Sequence, residues 1–401
     1  MRNAAIRSLL VVWALAGASA VAAAQQPTTR AGLIEQEQAA KVPTLKPYVP
    51  NAGEQWAQRA EDILTNGGRT WHPYFSSAYS GGGFAFGAGY MTHVSPFNFV
   101  DVRGSYTIAG YKRIEAEYVA PRLFKRRGQL SVLGGWREAT QVAFYGLGLG
   151  TDKVNRTNYD FQQPYASALL TLRPTRNLFM VRGGVEFSQW KQQSGKGSSP
   201  SVETRFTADS LPGLGETVDY LHTQATVGID TRTSPGYSRR GTFFGVTAHD
   251  FTDNDERFGF HQIDYEAIQH IPILREAWVI SLRALASTTY DKSGQDIPFF
   301  MLPSLGGGSN LRGYSSWRFR DRDSLLLQGE WRIMVNRFFD TAVFYDAGTV
   351  AARPSDLKLD VLRHDFGFGV RFHGPFNTPF RVDVARSDES VAIVFASSAV
   401  F

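Results

Sequence analysis

The stretches Phe366–Phe372, FGFGVRF, and Phe380–Val384, FRVDV, decide the fold class. In each of them, apolar residues alternate with glycine or charged residues. Because successive side chains of a β-strand point to opposite faces, each strand would be apolar on one face and charged on the other. That pattern is typical of a transmembrane barrel, whose outer face meets lipid and whose inner face is polar.

The same alternation recurs at Phe179–Ser188 and at Leu221–Asp230. A soluble sandwich of two sheets remains the alternative, since alternation alone does not say which face meets lipid. Composition favours the barrel, because aromatic residues make up 13% of the chain and 39 residues are glycine, as aromatic girdles and crowded strands require. The net charge of +5 gives no indication of nucleic-acid binding.

The N-terminus has the pattern of a secretory signal peptide. Arg2 and Arg7 precede an apolar run from Leu9 to Ala18, and small residues lead to Gln25. The run is shorter than the roughly 20 residues that span a bilayer, so we expect residues 1–24 to be cleaved. Since no later segment is a candidate membrane helix, the membrane-spanning part must be a barrel. The chain contains no cysteine.

Counting the alternating segments from His72 to Phe401 predicts an all-β transmembrane antiparallel barrel of about sixteen strands over residues 71–401. Short turns alternate with long loops, as in outer-membrane barrels, whose turns are periplasmic. The predicted turns are Pro121–Arg127, Pro174–Arg176, Pro272–Arg275 and Gly374–Thr378, and the predicted loops are Arg137–Arg156, Lys191–Thr217, Asp291–Arg322 and Ala351–Asp360. We expect the bacterial outer membrane as the location, with outer-membrane lipids and lipopolysaccharide as surroundings.

Residues 25–70 are predicted to form a short periplasmic segment. The apolar spacing within Glu54–Thr65 fits one short helix, and a loosely ordered linker is the equal alternative.

The most specific motif is the run from Gly306 to Tyr314, GGGSNLRGY, which includes Gly307, Gly308, Leu311, Arg312 and Gly313. A phosphate-binding loop is disfavoured, because no Gly-Lys-Ser/Thr and no helix follow. The Leu-Arg-Gly-Tyr tetrapeptide resembles the motif of the BamA, TamA and two-partner-secretion transporter superfamily, also called the bacterial surface antigen family. The resemblance implies that this loop folds into the lumen and that Arg312 pairs with acidic residues of the inner wall.

Glu330 and Asp346 stand where that family carries the acidic partners, and alternation independently directs both side chains inward. A buried arginine needs such partners, because an unpaired buried charge costs several kcal/mol, roughly 3–5. Two further patches resemble the family: Phe144–Gly148, and the turn that contains Asp230, Arg232, Pro235 and Gly241. Residues 25–70 are too short for the POTRA domains of the well-known members, so we expect a short member without them.

The resemblance also implies a weak seam between the first and last strands. We expect the first strand around His72–Tyr79, with Pro73 removing a hydrogen-bond donor, and the last at Val391–Phe401, ending on Phe401 in the interfacial girdle. A seam that opens laterally could accept a client strand by β-augmentation.

The sequence therefore predicts an insertase- or translocase-like barrel in outer-membrane protein assembly, secretion or bilayer remodelling. Its expected partners are client outer-membrane or secreted proteins and a separate periplasmic protein. The alternative is a passive diffusion pore narrowed by the Arg312 loop. An enzyme is not expected, since no Gly-x-Ser-x-Gly occurs, and no metal or other cofactor is expected either.

Overall fold

A computed structural model describes residues 30–41, 51 and 70–401, except 337 and 375. Sixteen strands form one antiparallel sheet in which sequence neighbours pair throughout. They are β1 Trp71–Pro73, β2 Ala85–His93, β3 Phe99–Thr107, β4 Lys112–Arg122, β5 Gly128–Phe144, β6 Thr157–Leu172, β7 Phe179–Ser194, β8 Thr217–Asp230, β9 Gly241–Asp253, β10 Phe260–Ile273, β11 Trp278–Asp291, β14 Asp323–Met334, β15 Phe339–Ala351, β16 Arg363–Phe372, β17 Phe380–Arg386 and β18 Val391–Ala396. Two short strands between β11 and β14, β12 Ser304–Leu305 and β13 Phe319–Arg320, form a separate sheet. The fold class and the strand number predicted from the sequence are confirmed.

The two faces of the sheet differ as the alternation predicts. On β15, Val343 and Tyr345 are 57% and 52% exposed, whereas Phe344 and Asp346 between and beside them are 3% and 0% exposed. Exposed apolar side chains on the outside and buried charges on the inside are the reverse of a soluble sandwich. The outer face is therefore the lipid-facing surface of a barrel.

The two ends of the sheet meet, since the Phe84 ring lies 6.3 Å from the Phe395 ring of β18. Within the described part of the chain, however, β1 is hydrogen-bonded only to β2, and β18 only to β17. No backbone ladder therefore joins β1 to β18 among the described residues. The barrel closes at a seam.

The first and last strands are shorter than predicted. β1 ends at Pro73, and residues 74–84 form a loop instead of continuing to Tyr79. β18 ends at Ala396, and Phe401 packs against inward-facing Met180, Phe243 and Ile268. The expected placement of Phe401 in the outer girdle is wrong, because the buried apolar cluster gives its ring a better-packed site.

Several central strands are longer than predicted. β5 continues to Phe144 and β7 to Ser194, so the loops after them start later. Phe144, Tyr159 and Phe161 are at most 3% exposed and pack with Phe299 and Phe300 of the long loop between β11 and β14. Burial of this aromatic cluster stabilises the wall beyond the point where polar residues suggested a loop.

The helix α1, Arg30–Lys41, belongs to the N-terminal segment. Its sequence, RAGLIEQEQAAK, is rich in strong helix formers. No helix among the described residues is long and apolar enough to cross a membrane. The signal peptide predicted at residues 1–24 and the helix predicted within Glu54–Thr65 lie outside the described residues.

A charge placed on the lipid-facing wall should destabilise the barrel in a bilayer. We expect Val343→Arg to lower the free energy of unfolding by about 2–4 kcal/mol, the range for Arg near the bilayer midplane. Urea titration in lipid vesicles measures this difference. Val154→Arg, in an outer loop where Val154 is 74% exposed, is the matched control and should have little effect. Equal effects of both variants would contradict the lipid-facing assignment of β15.

Candidate functional site

The long loop between β11 and β14, residues 292–322, folds back against the inner wall. Its neck is a small hairpin of β12, Ser304–Leu305, and β13, Phe319–Arg320. Gly306 and Gly307 follow β12 with φ of 113° and 104°, a conformation that favours glycine. The chain therefore turns sharply at this point. We call residues 306–318 the lumen loop.

Arg312 is the centre of the lumen loop and is 0% exposed. Its Nε donates to Asp346 Oδ2 at 2.6 Å, and its Nη2 donates to Asp346 Oδ1 at 2.8 Å. Its Nη1 donates to Glu330 Oε2 at 3.1 Å. The guanidinium also lies 3.4 Å from the centre of the Phe344 ring. The structure thus brings together the three charged residues that the sequence singled out.

These contacts keep the arginine charged at a fully buried position. Burial alone lowers the pKa of Arg312, but the hydrogen bonds and charges of Asp346 and Glu330 outweigh burial and raise it. Two parallel hydrogen bonds to one carboxylate also fix the orientation of the guanidinium. The contacts consequently fix the position of the lumen loop as well as the charge of Arg312.

The charge network is larger than the sequence predicted. Asp383 of β17 lies 3.6 Å from Arg312 Nη1 and 2.9 Å from Arg371 Nη1, and Arg371 also donates to Glu330 Oε2 at 2.6 Å. Arg381 pairs with Asp383 and donates to the carbonyl oxygen of Gly308 in the lumen loop. Alternation places Arg371, Arg381 and Asp383 on the inner face, but only the strand register shows that Asp383 reaches Arg312 and that the two arginines pair with its carboxylate partners.

Gly313 lets the lumen loop approach the wall. A Cβ atom at this position would lie 2.6 Å from the Asp365 Cβ atom and 3.0 Å from the Arg386 carbonyl carbon. Asp365 stands directly opposite Asp346 in the β15–β16 ladder. No side chain larger than glycine fits at this position without moving the backbone of β17.

The lumen loop is also bound to the turn between β17 and β18, residues 387–390. Tyr314 donates to Asp388 Oδ1 at 2.6 Å, and Ser387 donates to the Gly313 carbonyl oxygen at 2.8 Å. Burial, and then the hydrogen bond to Asp388, raise the pKa of Tyr314, so its hydroxyl stays a donor. Arg318 binds both Glu389 carboxylate oxygens, with Nε to Oε2 at 2.8 Å.

The remaining motif residues pack around this centre. Leu311 is 0% exposed and belongs to an apolar cluster with Leu305, Tyr314, Phe319 and Leu326. The Phe144–Gly148 patch contacts the loop neck, because the Gly148 amide donates to the Arg320 carbonyl oxygen at 2.8 Å. A Cβ atom at Gly307 would lie 2.7 Å from Ser316 Oγ, and one at Gly308 would lie 2.6 Å from Val394 Cγ1.

The turn that resembles the family, residues 231–240, lies at the opposite end of the barrel from the neck of the lumen loop. Asp230 accepts hydrogen bonds from Arg232 Nε at 3.0 Å and from Arg173 Nη2 at 2.9 Å. Gly241 has a φ of 108°, and a Cβ atom there would lie 2.6 Å from the Thr231 carbonyl oxygen.

The same turn lies against the turn after β16. Ser234, next to Pro235, donates to the Phe376 carbonyl oxygen at 2.8 Å. The Tyr237 ring stacks on His373 at 4.0 Å. The turn is thus not brought to Arg312; it lies across the short-turn end of the barrel.

The seam contains Pro73 but not Phe401. Pro73 pairs with Ala88 at the end of β1, and Phe401 lies inside, where its ring is 6.2 Å from that of His270. A cavity of about 660 Å³ opens beside the seam. It is lined by the segment 75–85, by the lumen loop and by residues 392–398.

A sixteen-stranded antiparallel barrel with a lipid-facing outer wall and a long loop anchored to its inner wall defines an outer-membrane β-barrel protein. A family model described as the Omp85 superfamily domain matches residues 98–390. The chain belongs to the Omp85 superfamily, and the resemblance that the Leu-Arg-Gly-Tyr motif carries is confirmed.

Solved structures are similar in fold. BamA from Haemophilus ducreyi lacking POTRA domains 1–3 is 15% identical with a TM-score of 0.58, and the match covers 82% of this chain and 69% of that one. CdiB from Escherichia coli is 11% identical with a TM-score of 0.52, and the match covers 82% of this chain and 59% of that one. No curated protein matches the sequence.

Removing the central guanidinium should strongly destabilise the barrel. Arg312→Ala leaves the carboxylates of Asp346, Glu330 and Asp383 buried without their shared partner. We expect the free energy of unfolding to fall by about 3–5 kcal/mol, as it does when one partner of a buried ion pair is removed. The urea midpoint in vesicles measures this loss, and Arg353→Ala, at an exposed position of an outer loop, is the control. A midpoint shift no larger than that of the control would contradict the central role of Arg312.

Crowding at Gly313 should release the lumen loop without changing any charge. We expect Gly313→Ala to convert a nearly silent barrel into one that conducts in planar bilayers, because the added methyl group clashes with β16 and β17. Gly150→Ala is the matched control, since a Cβ atom there meets nothing within 4 Å. If Gly313→Ala and Gly150→Ala both stay as silent as the wild type, the close approach at Gly313 does not hold the loop.

Proposed function

We propose that this barrel acts on other proteins of the outer membrane, as an insertase or translocase that opens laterally at the seam. The observation that carries the proposal is the edge of β18 that pairs with no described strand and lies beside the 660 Å³ cavity. The proposal includes export of the chain, with residues 1–24 cleaved and residues 25–70 in the periplasm. It also includes a separate periplasmic partner protein and client proteins. No catalytic chemistry is required.

An unpaired strand edge can accept another strand. The edge of β18 presents backbone N–H and C=O groups that no described strand satisfies, and an incoming client strand would satisfy them by β-augmentation. On the other side of the cavity, β1 pairs with β2 only at Ala88–Tyr90. The first residues of β2, from Ala85, therefore also lie next to the opening. A client strand has two short edges to pair with.

The lumen loop joins the two sides of the seam. On the first-strand side, Ser80 donates to Ser316 Oγ at 2.9 Å, and the Trp317 indole donates to the Ser80 carbonyl oxygen at 2.9 Å. These atoms are exposed. On the last-strand side, the loop holds the turn 387–390 through Arg318, Tyr314 and Gly313. The lumen loop therefore acts as a clasp across the seam. Its contacts at Ser80 are weaker than its contacts at the turn 387–390.

A passive pore is the other candidate. It would need an open lumen, whereas the Arg312 loop is fixed to the inner wall and Phe401 packs inside the barrel. These contacts support the clasp over the pore. A large steady conductance of the wild-type barrel would favour the pore.

A disulfide across the clasp should lock the seam. In Ser80→Cys/Ser316→Cys the two hydroxyls that lie 2.9 Å apart are replaced by thiols at a spacing suited to a disulfide, in a chain with no other cysteine. We expect vesicles with the reduced variant to speed the folding of a urea-denatured small outer-membrane barrel protein, as the wild type does. Oxidation should remove the acceleration, and a reductant should restore it. Gel mobility of the folded client is the readout.

The control is Thr226→Cys/Thr247→Cys, a cross-strand pair of the wall whose hydroxyl oxygens are 2.9 Å apart. Its oxidation should leave the acceleration unchanged, because β8 and β9 lie far from the seam in the sheet order. Acceleration by the oxidised Ser80–Ser316 variant would refute opening at the seam. No acceleration by the wild type would refute the insertase proposal.

A further inference from the structure

The short-turn end of the barrel is basic. Its turns, residues 94–98, 123–127, 173–178, 231–240, 274–277, 335–338 and 373–379, contain many cations and a single acidic residue, Glu276. Their described cationic residues are Lys125, Arg126, Arg127, Arg173, Arg176, Arg232, Arg239, Arg240 and Arg275. The loops at the other end contain as many acidic as basic residues. The excess of positive charge is confined to the periplasmic end.

Some of these cations already have partners within the barrel. Arg173 and Arg232 bind Asp230, Arg239 lies 3.5 Å from Asp340, and Arg240 lies 3.6 Å from Glu276. Lys125, Arg126, Arg127, Arg176 and Arg275 are exposed and have no acidic partner within 4.0 Å among the described residues. We call these five residues the basic ring. They come from the β4–β5, β6–β7 and β10–β11 turns, so they are spread along the rim.

Exposed apolar side chains are interleaved with the basic ring. Six of the turns each carry such a side chain, namely Phe97, Phe124, Leu178, Leu274, Val335 and Phe376, which are 40–73% exposed. The guanidinium of Arg122, at the end of β4, lies 3.8 Å from the centre of the Phe97 ring. An apolar residue beside Lys or Arg is suited to a lipid–water interface, where the apolar part enters the bilayer and the charge meets headgroups.

Two of the turns share an unusual backbone. Phe124, Lys125 and Arg126 have φ of 49°, 59° and 69°, and Leu274, Arg275 and Glu276 have φ of 47°, 55° and 69°. Glycine adopts this conformation most readily, yet both turns carry an apolar residue followed by a cation. The two turns are six strands apart in the sheet. The order of an apolar residue followed by a cation thus recurs in two turns of the same backbone conformation.

We propose that the basic ring binds the headgroups of anionic phospholipids in the periplasmic leaflet. The ring follows the rim and does not form one patch, and its apolar neighbours match the border of a bilayer better than the surface of an acidic protein. Binding would fix the depth and tilt of the barrel relative to the periplasmic leaflet. This inference does not depend on the proposed insertase activity.

The test uses the whole mature chain in nanodiscs made from an equal mixture of phosphatidylcholine and phosphatidylglycerol. Native mass spectrometry after release from the disc counts the lipids that stay bound. We expect the wild type to retain phosphatidylglycerol in preference to phosphatidylcholine, and the preference to fall with added salt. In Lys125→Gln/Arg126→Gln it should fall by about fivefold per charge removed.

The matched control is Arg353→Gln/Lys358→Gln, which removes two exposed cations from an outer loop. It should retain the wild-type preference. Phe124→Ser, which keeps every charge, should weaken retention of both lipids and leave their ratio unchanged. Equal retention of the two lipids by the wild type would overturn the proposal, as would an equal loss in the ring variant and the outer-loop control. In either case an acidic periplasmic protein would become the candidate partner of the ring.

Discussion

The burial of one guanidinium constrains most of this barrel. Arg312 cannot give up its charge at any ordinary pH, so the inner wall must supply carboxylates wherever the lumen loop is docked. Three of the four consecutive strands β14–β17 do so: β14 through Glu330, β15 through Asp346 and β17 through Asp383, all at most 5% exposed. Arg371 and Arg381 then balance the surplus of acid. Without Arg312 these carboxylates would lie close together with only Arg371 and Arg381 to balance their charge, so the wall and the loop stabilise each other.

The wall could be predicted from the sequence because lipid imposes a simple rule on it. Outward residues of β15 and β16, such as Val343 and Phe368, must be apolar, so a period of two is visible along each strand. The inward positions of Glu330 and Asp346 could be predicted from that period, together with the family resemblance of the Leu-Arg-Gly-Tyr motif. The contacts of Arg371 and Arg381 did not follow, because they depend on how far neighbouring strands are shifted, and side-chain alternation carries no information about register.

The two ends of the chain were harder to predict for a different reason. Membrane-facing strands are constrained by lipid, but β1 and the residues after β18 lie at the seam, where ladder pairing is absent among the described residues. Three residues, Trp71–Pro73, suffice for β1 because Pro73 removes a donor and the following segment turns towards Ser316. The Phe401 side chain packs against a buried apolar cluster inside the barrel. Alternation along the last strand does not predict that position.

The contacts of the lumen loop are unequal on the two sides of the seam, which bears on the proposed lateral opening. If the lumen loop left β14–β17, Arg312 and its carboxylate partners would lose their ion pairs. Through Arg318 and Tyr314 the loop is also bound to the turn that precedes β18. β18 is also paired with β17 over six residues, whereas β1 is paired with β2 over three. Both the side-chain contacts and the ladder are weaker on the first-strand side. For the lateral opening proposed above, the least disruption results when the segment around Ser80 detaches and β18 remains in place as the fixed edge.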